Sequence, residues 1–324
     1  MLDLADIEAA AERLSGIAVE TPLLRNAELD QIVDGRVLLK PESFQPIGSF
    51  KIRGAYNLLS QLSADEARHG AVAWSSGNHA QGVALAGKLL GIRTTIVMPE
   101  DAPQAKLSNT RRLGGEVITY DRYTEDREAI ARNIAAERGA AIVPSYDHPH
   151  IIAGQGTVGL EIARQSQALG LPADQVVIPC GGGGLTSGCT VALKALLENV
   201  SVYTAEPEHY DDTAKSLESG KRVRVLQTTA SICDALLADT PGQMTFDIMH
   251  RLGVLGLVVT EDEIRNAMRF AFRHLKLVVE PGGAAALAAI LAGKLDTQNK
   301  TTAIVLSGGN VDVGLFAEIQ ADPT

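Results

Sequence analysis

The sequence predicts an α/β fold of mostly parallel strands, arranged as two lobes that each carry an open sheet flanked by helices. Three observations predict it. Short β-rich runs alternate with helical stretches along the chain. Glycine-rich junctions follow several of those runs and lead directly into helices. The composition agrees, since aromatic content is only 4% and alanine together with 31 glycines fills the space instead, as suits backbone packed closely on backbone.

Taken in order, the strands are RVLLK at 36–40, AVAW at 71–74, TTIVM at 94–98, EVITY at 116–120, QVVIPC at 175–180, SVYTA at 201–205 and TTAIVL at 301–306. Each is rich in β-branched and apolar residues and too short for a helix. Helical segments separate nearly all of them, as parallel strands require. The units cluster around 66–143 and from about 146 onward, with the N-terminal part expected to return to the second cluster. A site is expected between the two lobes. No repeat, low-complexity tract or long linker interrupts the pattern.

Size and charge narrow the function. A chain of 324 residues has ample material for two lobes. A formal net charge of −10 disfavours general attraction to nucleic acid or an anionic membrane. The start, MLDLADIEAAAERL, lacks a basic region followed by an apolar run, so no signal peptide is expected, and no stretch approaches a membrane span. Cys180, Cys189 and Cys233 form no C-x-x-C pair and fit reduced thiols, which points to the cytoplasm.

The chemistry-bearing residues sit at the junctions. In ESFQPIGSFKIRGA, 42–55, Ser49 is a candidate N-cap and Lys51 falls in the first helical turn, where the helix dipole disfavours a cation. A lone lysine there reads either as a solvated side chain or as an amine kept reactive for carbonyl chemistry. The run CGGGGLTSG, 180–188, removes every side chain at Gly181, Gly182, Gly183 and Gly184, just where backbone amides can converge on an anion at a helix start. It is neither a Walker loop nor a G-x-G-x-x-G turn. Glu206, after the next strand, keeps a nicotinamide-dinucleotide reading open as a minority alternative. In WSSGNHAQGVALAG, 74–87, Ser75, Ser76, Gly77, Asn78 and His79 gather hydroxyls, an amide and an imidazole at another helix start, a receptor suited to a carboxylate. VLSGGN at 305–310 and EPGGAA at 280–285 complete four junctions that point to one crevice at the strand ends.

Together, Ser49-Phe50-Lys51-Ile52-Arg53-Gly54-Ala55, Ser75-Ser76-Gly77-Asn78-His79, the tetraglycine, Glu280-Pro281 and Ser307-Gly308-Gly309-Asn310 resemble the serine/threonine dehydratase and serine racemase family of fold-type II pyridoxal phosphate enzymes. The motifs cover nearly the whole chain in order. The resemblance implies a tryptophan synthase β-like fold with the cofactor in the cleft between a large domain, 1–60 with 146–324, and a small domain, 66–143. It implies that Lys51 is the Schiff-base lysine, that Phe50 packs on the pyridine ring, and that Asn78 and Ser307 face its hydroxyl and its nitrogen. Gly181 to Leu185 would hold the phosphate, and Ser75 to His79 the substrate. Ser76, on the face opposite the lysine, would exchange a proton in racemisation.

The implied activity is that of an ammonia-lyase turning a small β-hydroxy amino acid into a 2-oxo acid and ammonia. L-Threonine and L-serine lead, with 3-hydroxyaspartate dehydration and serine racemisation as alternatives. AEPEHYDD, 205–212, matches the relatives' divalent-cation site, with Glu206, Asp212 and the carbonyl of Tyr210 as ligands for Mg²⁺, Ca²⁺ or Mn²⁺. A solvated acidic turn is the plainer reading of the same residues. Pro46-Ile47 stands where animal serine racemases tend to have Lys-Thr, which speaks against nucleotide activation. The chain stops soon after Ser307, so a C-terminal regulatory domain is not expected. The expected assembly is a cytoplasmic homodimer.

Overall fold

The strand runs assemble into two separate sheets in the computed structural model, which describes residues 2–75, 77–102, 104–226 and 229–321. The strands among the described residues are β1 Arg36–Pro41, β2 Ala71–Trp74, β3 Thr94–Pro99, β4 Glu116–Tyr120, β5 Ala141–Ile142, β6 Gln175–Pro179, β7 Ser201–Pro207, β8 Leu255–Val259 and β9 Thr301–Leu306. One sheet has the order β1-β9-β6-β7-β8 and the other β4-β3-β2-β5. All their pairings are parallel. The first and last strands are neighbours, with Arg36 opposite Thr301 and Pro41 opposite Leu306. The chain therefore lays down β1, leaves to build the second sheet, and returns through the helix Pro149–Ala168 to add β6.

Every residue of β3, β6 and β9 is buried, which is why, after their polar first residues, these strands read as continuous apolar runs instead of alternating ones. Val177, Ile304 and Leu306 pack into a core on one face of the larger sheet, while Val176, Ile178 and Val305 pack into a second core on the other. Two strands lie outside the sequence-based expectation. β5 has only two residues. β8 is a half-exposed edge strand broken by Gly256, where a Cβ would lie 2.4 Å from that of Ala214 in the helix Asp212–Ser219. Close approach of that helix requires the glycine, and the glycine weakens the strand signature.

The helices start and stop by local chemistry. Asp3 with Asp6, Ser63 with Glu66 and Thr260 with Glu263 form reciprocal capping boxes. Gly91 and Gly139 end two helices at φ of 68° and 67°, backbone angles that favour glycine. The helix Pro281–Leu291, with the sequence PGGAAALAAIL, is buried from Pro281 to Ile290, and its small side chains let it lie against β6, β7, β8 and β9. No described helix is long and apolar enough to cross a membrane.

Candidate active site

The helix that carries Lys51 begins at that residue, Lys51–Leu59, and its N-cap is Phe50, with no side-chain capping bond. The expectation that Ser49 caps it is corrected. Ser49 is instead held as extended backbone bridging Gly308, and its hydroxyl is buried without a partner. The Phe50 amide donates to the Ser307 carbonyl at 3.2 Å, and the Gly309 amide to the Gly48 carbonyl at 2.9 Å. Two sequence motifs some 260 residues apart are thus stitched together beside the lysine. The Lys51 ammonium donates to the Ser145 carbonyl at 3.0 Å and lies 5.2 Å from the Phe50 ring centre. Burial lowers its pKa to about 8 against the opposing pull of Glu280.

A buried charge network fixes that helix from below. Arg53, two residues on, pairs with Glu42 at 2.8 Å and Glu161 at 2.5 Å, and Lys40 pairs with Glu161 at 2.6 Å. The Gly54 amide donates to Gln155 Oε1, and Asn57 donates to the His150 carbonyl. With both cations paired, the cluster carries no uncompensated charge, the condition under which buried ions are tolerated.

Opposite Lys51, the helix Asn78–Leu90 begins from Gly77 with no side-chain cap. Asn78 Nδ2 donates to Glu280 Oε1 at 2.6 Å, while Asn78 Oδ1 accepts from Asn310 Nδ2 at 2.7 Å. Asn310 also donates to the Ile47 carbonyl at 2.7 Å. Three of the motifs therefore meet through one asparagine. Burial, with the nearby Asp234 carboxylate, pushes the Glu280 carboxyl up to about 7. Ser75 Oγ accepts from the Gly77 amide at 3.2 Å, and Ser307, buried, directly follows β9. The His79 ring is buried, with Nε2 donating to the Val143 carbonyl at 2.9 Å; burial and the Lys51 charge lower its pKa to about 3, so it is neutral. Its ring is turned into the protein, and what it can offer a carboxylate is its backbone. Ser76 lies outside the described residues.

The tetraglycine follows β6 and leads into the helix Gly184–Leu196, whose N-cap Gly183 has φ of +93°. Among its glycines, Gly182 and Gly184 face Tyr146, where added Cβ atoms would come within 2.3 Å and 2.9 Å of that residue. Tyr146 belongs to Ser145-Tyr146-Asp147, a segment the sequence reading passed over. The segment begins three residues after β5, a strand too short to leave a pattern in the sequence. An ion pair between Lys106 and Asp234 joins the helix Gln104–Arg112 to the short turn Asp234–Leu236.

At the end of β7, Glu206 is buried, with Oε1 accepting from the Thr213 amide at 2.9 Å and Oε2 from the Ala214 amide at 2.7 Å. It is turned inward and not outward toward a ribose. Asp212 is equally buried, and neither of its carboxylate oxygens has a hydrogen-bond partner among the described residues. Tyr210 is buried and donates its hydroxyl to the Thr229 carbonyl at 2.8 Å. No group of three or more His, Cys, Asp or Glu side chains able to hold a metal occurs among the described residues.

Comparison with known proteins gives a consistent result. Residues 14–308 match the family model described as pyridoxal-phosphate dependent enzyme. An L-threo-3-hydroxyaspartate ammonia-lyase from a Pseudomonas species is 41% identical over 314 residues, 97% of each chain. The L-threonine ammonia-lyase of Thermotoga maritima is 41% identical over 320 residues, 98% of this chain and 78% of that one. The structure of maize serine racemase superposes with a TM-score of 0.92 at 36% identity, over 98% of this chain and 96% of that one. Two parallel sheets flanked by helices are the architecture expected of fold type II.

Proposed function

The chain belongs to the pyridoxal-phosphate-dependent enzyme family, and from that premise we propose that it is an ammonia-lyase converting a small β-hydroxy amino acid, L-threonine or L-serine, to a 2-oxo acid and ammonia. One observation carries the reading. A half-buried lysine amine, its pKa lowered to about 8, donates to the Ser145 carbonyl at 3.0 Å, and the next residue, Tyr146, packs on Gly182 and Gly184 of the tetraglycine. The residues present suit the cofactor. Gly183 at φ of +93° permits a loop of bare backbone after β6, where the amides of Gly181 to Leu185 would hold a phosphate. Phe50 would pack on the ring, Asn78 would meet its hydroxyl and Ser307 its nitrogen.

When bound, pyridoxal phosphate supplies an electrophilic carbon for amines and a conjugated ring that takes up the charge left at Cα. Lys51 would carry it covalently and, once displaced by the substrate amine, take the Cα proton on Nζ, for which a pKa of about 8 is well placed. Ser75, Ser76, Gly77, Asn78 and His79 would receive the substrate carboxylate. Ser307 would offer the ring nitrogen a hydroxyl, a weaker partner for a protonated pyridine than a carboxylate, and would so favour loss of the β-hydroxyl over reprotonation at Cα. 3-Hydroxyaspartate dehydration and serine racemisation are the alternatives, given the relatives of those names.

We also infer a divalent cation, Mg²⁺, Ca²⁺ or Mn²⁺, held by Glu206, Asp212 and the Tyr210 carbonyl. The buried oxygens of Asp212, unpartnered among the described residues, support it, since an unpaired buried carboxylate is costly and oxygen donors suit hard cations. Residues 1–60 with 146–324 are taken as the large domain and 66–143 as the small one, supported by β2 to β5 pairing only with each other. A cytoplasmic homodimer without nucleic-acid or membrane partners completes the reading.

The test is a panel of β-hydroxy amino acids scored for 2-oxo acid, ammonia and inverted enantiomer. We expect pyruvate or 2-oxobutanoate with ammonia in excess of any D-isomer, and loss of both the absorbance of the lysine–cofactor imine and turnover in Lys51→Ala. Mainly D-serine from L-serine would overturn the lyase assignment, and a fully active Lys51→Ala would overturn the lysine's role.

A further inference from the structure

The carbonyl side of the tetraglycine is held by a device that reaches across the chain. The Gly182 carbonyl accepts from Thr245 Oγ1 at 2.7 Å and from the Gly242 amide at 3.2 Å. Both donors stand at the start of the helix Gln243–Arg251, whose N-cap, Gly242, has no side chain to cap it. Its first amides go instead to the carboxylate of Asp147, 96 to 98 residues earlier. Gln243 donates to Oδ2 at 3.0 Å, and Met244 and Thr245 donate to Oδ1 at 2.9 Å and 3.2 Å. Asp147 thus does the work of a capping side chain for a helix that is not its own. Its neighbour Tyr146 closes the ring from the other side, lying where a side chain at Gly182 would be. Ser145, next again, accepts from Lys51.

The geometry of the peptide unit turns this anchor into a directional one. In a trans peptide the carbonyl of one residue and the amide of the next point in opposite directions from one rigid plane. Holding the Gly182 carbonyl on the helix Gln243–Arg251 therefore aims the Gly183 amide away from that helix. Gly183 itself is packed on the same helix, and a Cβ there would lie 2.8 Å from Met249 Cε and 2.9 Å from Thr245 Cβ.

We propose that Asp147 is a positioning residue for the cofactor, a statement that rests on Gly181 to Leu185 being the phosphate loop. It anchors the start of the helix Gln243–Arg251, which fixes Thr245 and Gly242, which in turn orient the Gly182–Gly183 peptide toward the phosphate. The device separates retention of the cofactor from the covalent bond at Lys51.

The test compares holoenzymes of wild type, Asp147→Ala, Asp147→Asn, Thr245→Val and the Asp147→Ala/Thr245→Val pair. The readouts are the release rate of pyridoxal phosphate into a phosphatase trap, the ³¹P resonance of the bound phosphate, and the melting temperature. Asp147→Ala and Thr245→Val should each speed release about tenfold and shift the resonance, as befits loss of a cap or one buried hydrogen bond. The pair should release no faster than the faster-releasing single variant, because both act through one peptide. Asp147→Asn, which keeps an acceptor for Met244 and Thr245, should stay within about threefold of wild type. The proposal is overturned if Asp147→Ala lowers the melting temperature with release and resonance unchanged, or if the two effects multiply. A wild-type protein that takes up no pyridoxal phosphate overturns the cofactor reading itself, a different and recognisable failure.

Discussion

Glu280→Gln should stabilise the cofactor-free protein above neutral pH and leave it unaltered in mild acid. The side chain is 3% exposed, and its Oε1 accepts from Asn78 Nδ2 at 2.6 Å. Burial, aided by Asp234, raises its pKa from 4.5 to about 7, while the Asn78 bond and the Lys106 and Lys51 charges pull the other way and do not win. A carboxyl raised on folding binds its proton more tightly in the folded chain than in the unfolded one. Its contribution to stability is therefore full below pH 4.5 and is lost as pH climbs through about 7. Each pH unit across that window is worth about 1.4 kcal/mol, so the loss comes to about 3 kcal/mol. Glutamine keeps an acceptor for Asn78 and cannot ionise. In urea titrations the variant should match wild type near pH 4.5 and exceed its unfolding free energy by about 3 kcal/mol at pH 8. A difference between the two proteins that stays flat from pH 5 to pH 8 would refute the reasoning.

Lys51 should titrate near pH 8, burial being the cause, so capture of a small aldehyde followed by borohydride reduction should reach half its maximum there in the cofactor-free protein. A midpoint near pH 10 would mean that the amine is solvated. Saturating Mg²⁺ or Ca²⁺ should raise the melting temperature, by an amount equivalent to about 3 kcal/mol at a hundredfold excess over the dissociation constant, and Asp212→Ala should abolish the rise. Equal melting temperatures in chelator and in metal would leave AEPEHYDD a plain acidic turn. Arg53→Leu strands Glu42, which is fully buried and 2.8 Å from the guanidinium, and should cost about 3–5 kcal/mol in equilibrium unfolding. A loss below about 1 kcal/mol would show that Glu42 is neutral in the fold.

What the sequence discloses and what it hides divide along a physical line. β6 and β9 are legible because strands buried on both faces need nothing but apolar residues. β8 is obscured because one of its positions answers to a helix packed on it, at Gly256. Within the site, the tetraglycine and Asn78 can be read because Tyr146 leaves no room for a side chain at Gly182 or Gly184 and because Asn78 links Glu280 with Asn310. Ser49 misleads for the opposite reason, since its type suits a cap but Gly308 has already claimed its backbone. Asp147 is the extreme case. The helix Gln243–Arg251 needs some acceptor at its first amides, and it does not matter from which part of the chain the oxygen comes. A local cap at position 242 is closed off first by Asp147 itself, since a Cβ there would lie 2.5 Å from its Oδ1 and 2.8 Å from Thr245 Oγ1, the hydroxyl that holds Gly182. The bare glycine and the distant carboxylate thus come as a pair. Gly242 leaves room for the carboxylate, and the carboxylate supplies the oxygen that a glycine lacks, from a residue whose neighbours in sequence carry no trace of that role.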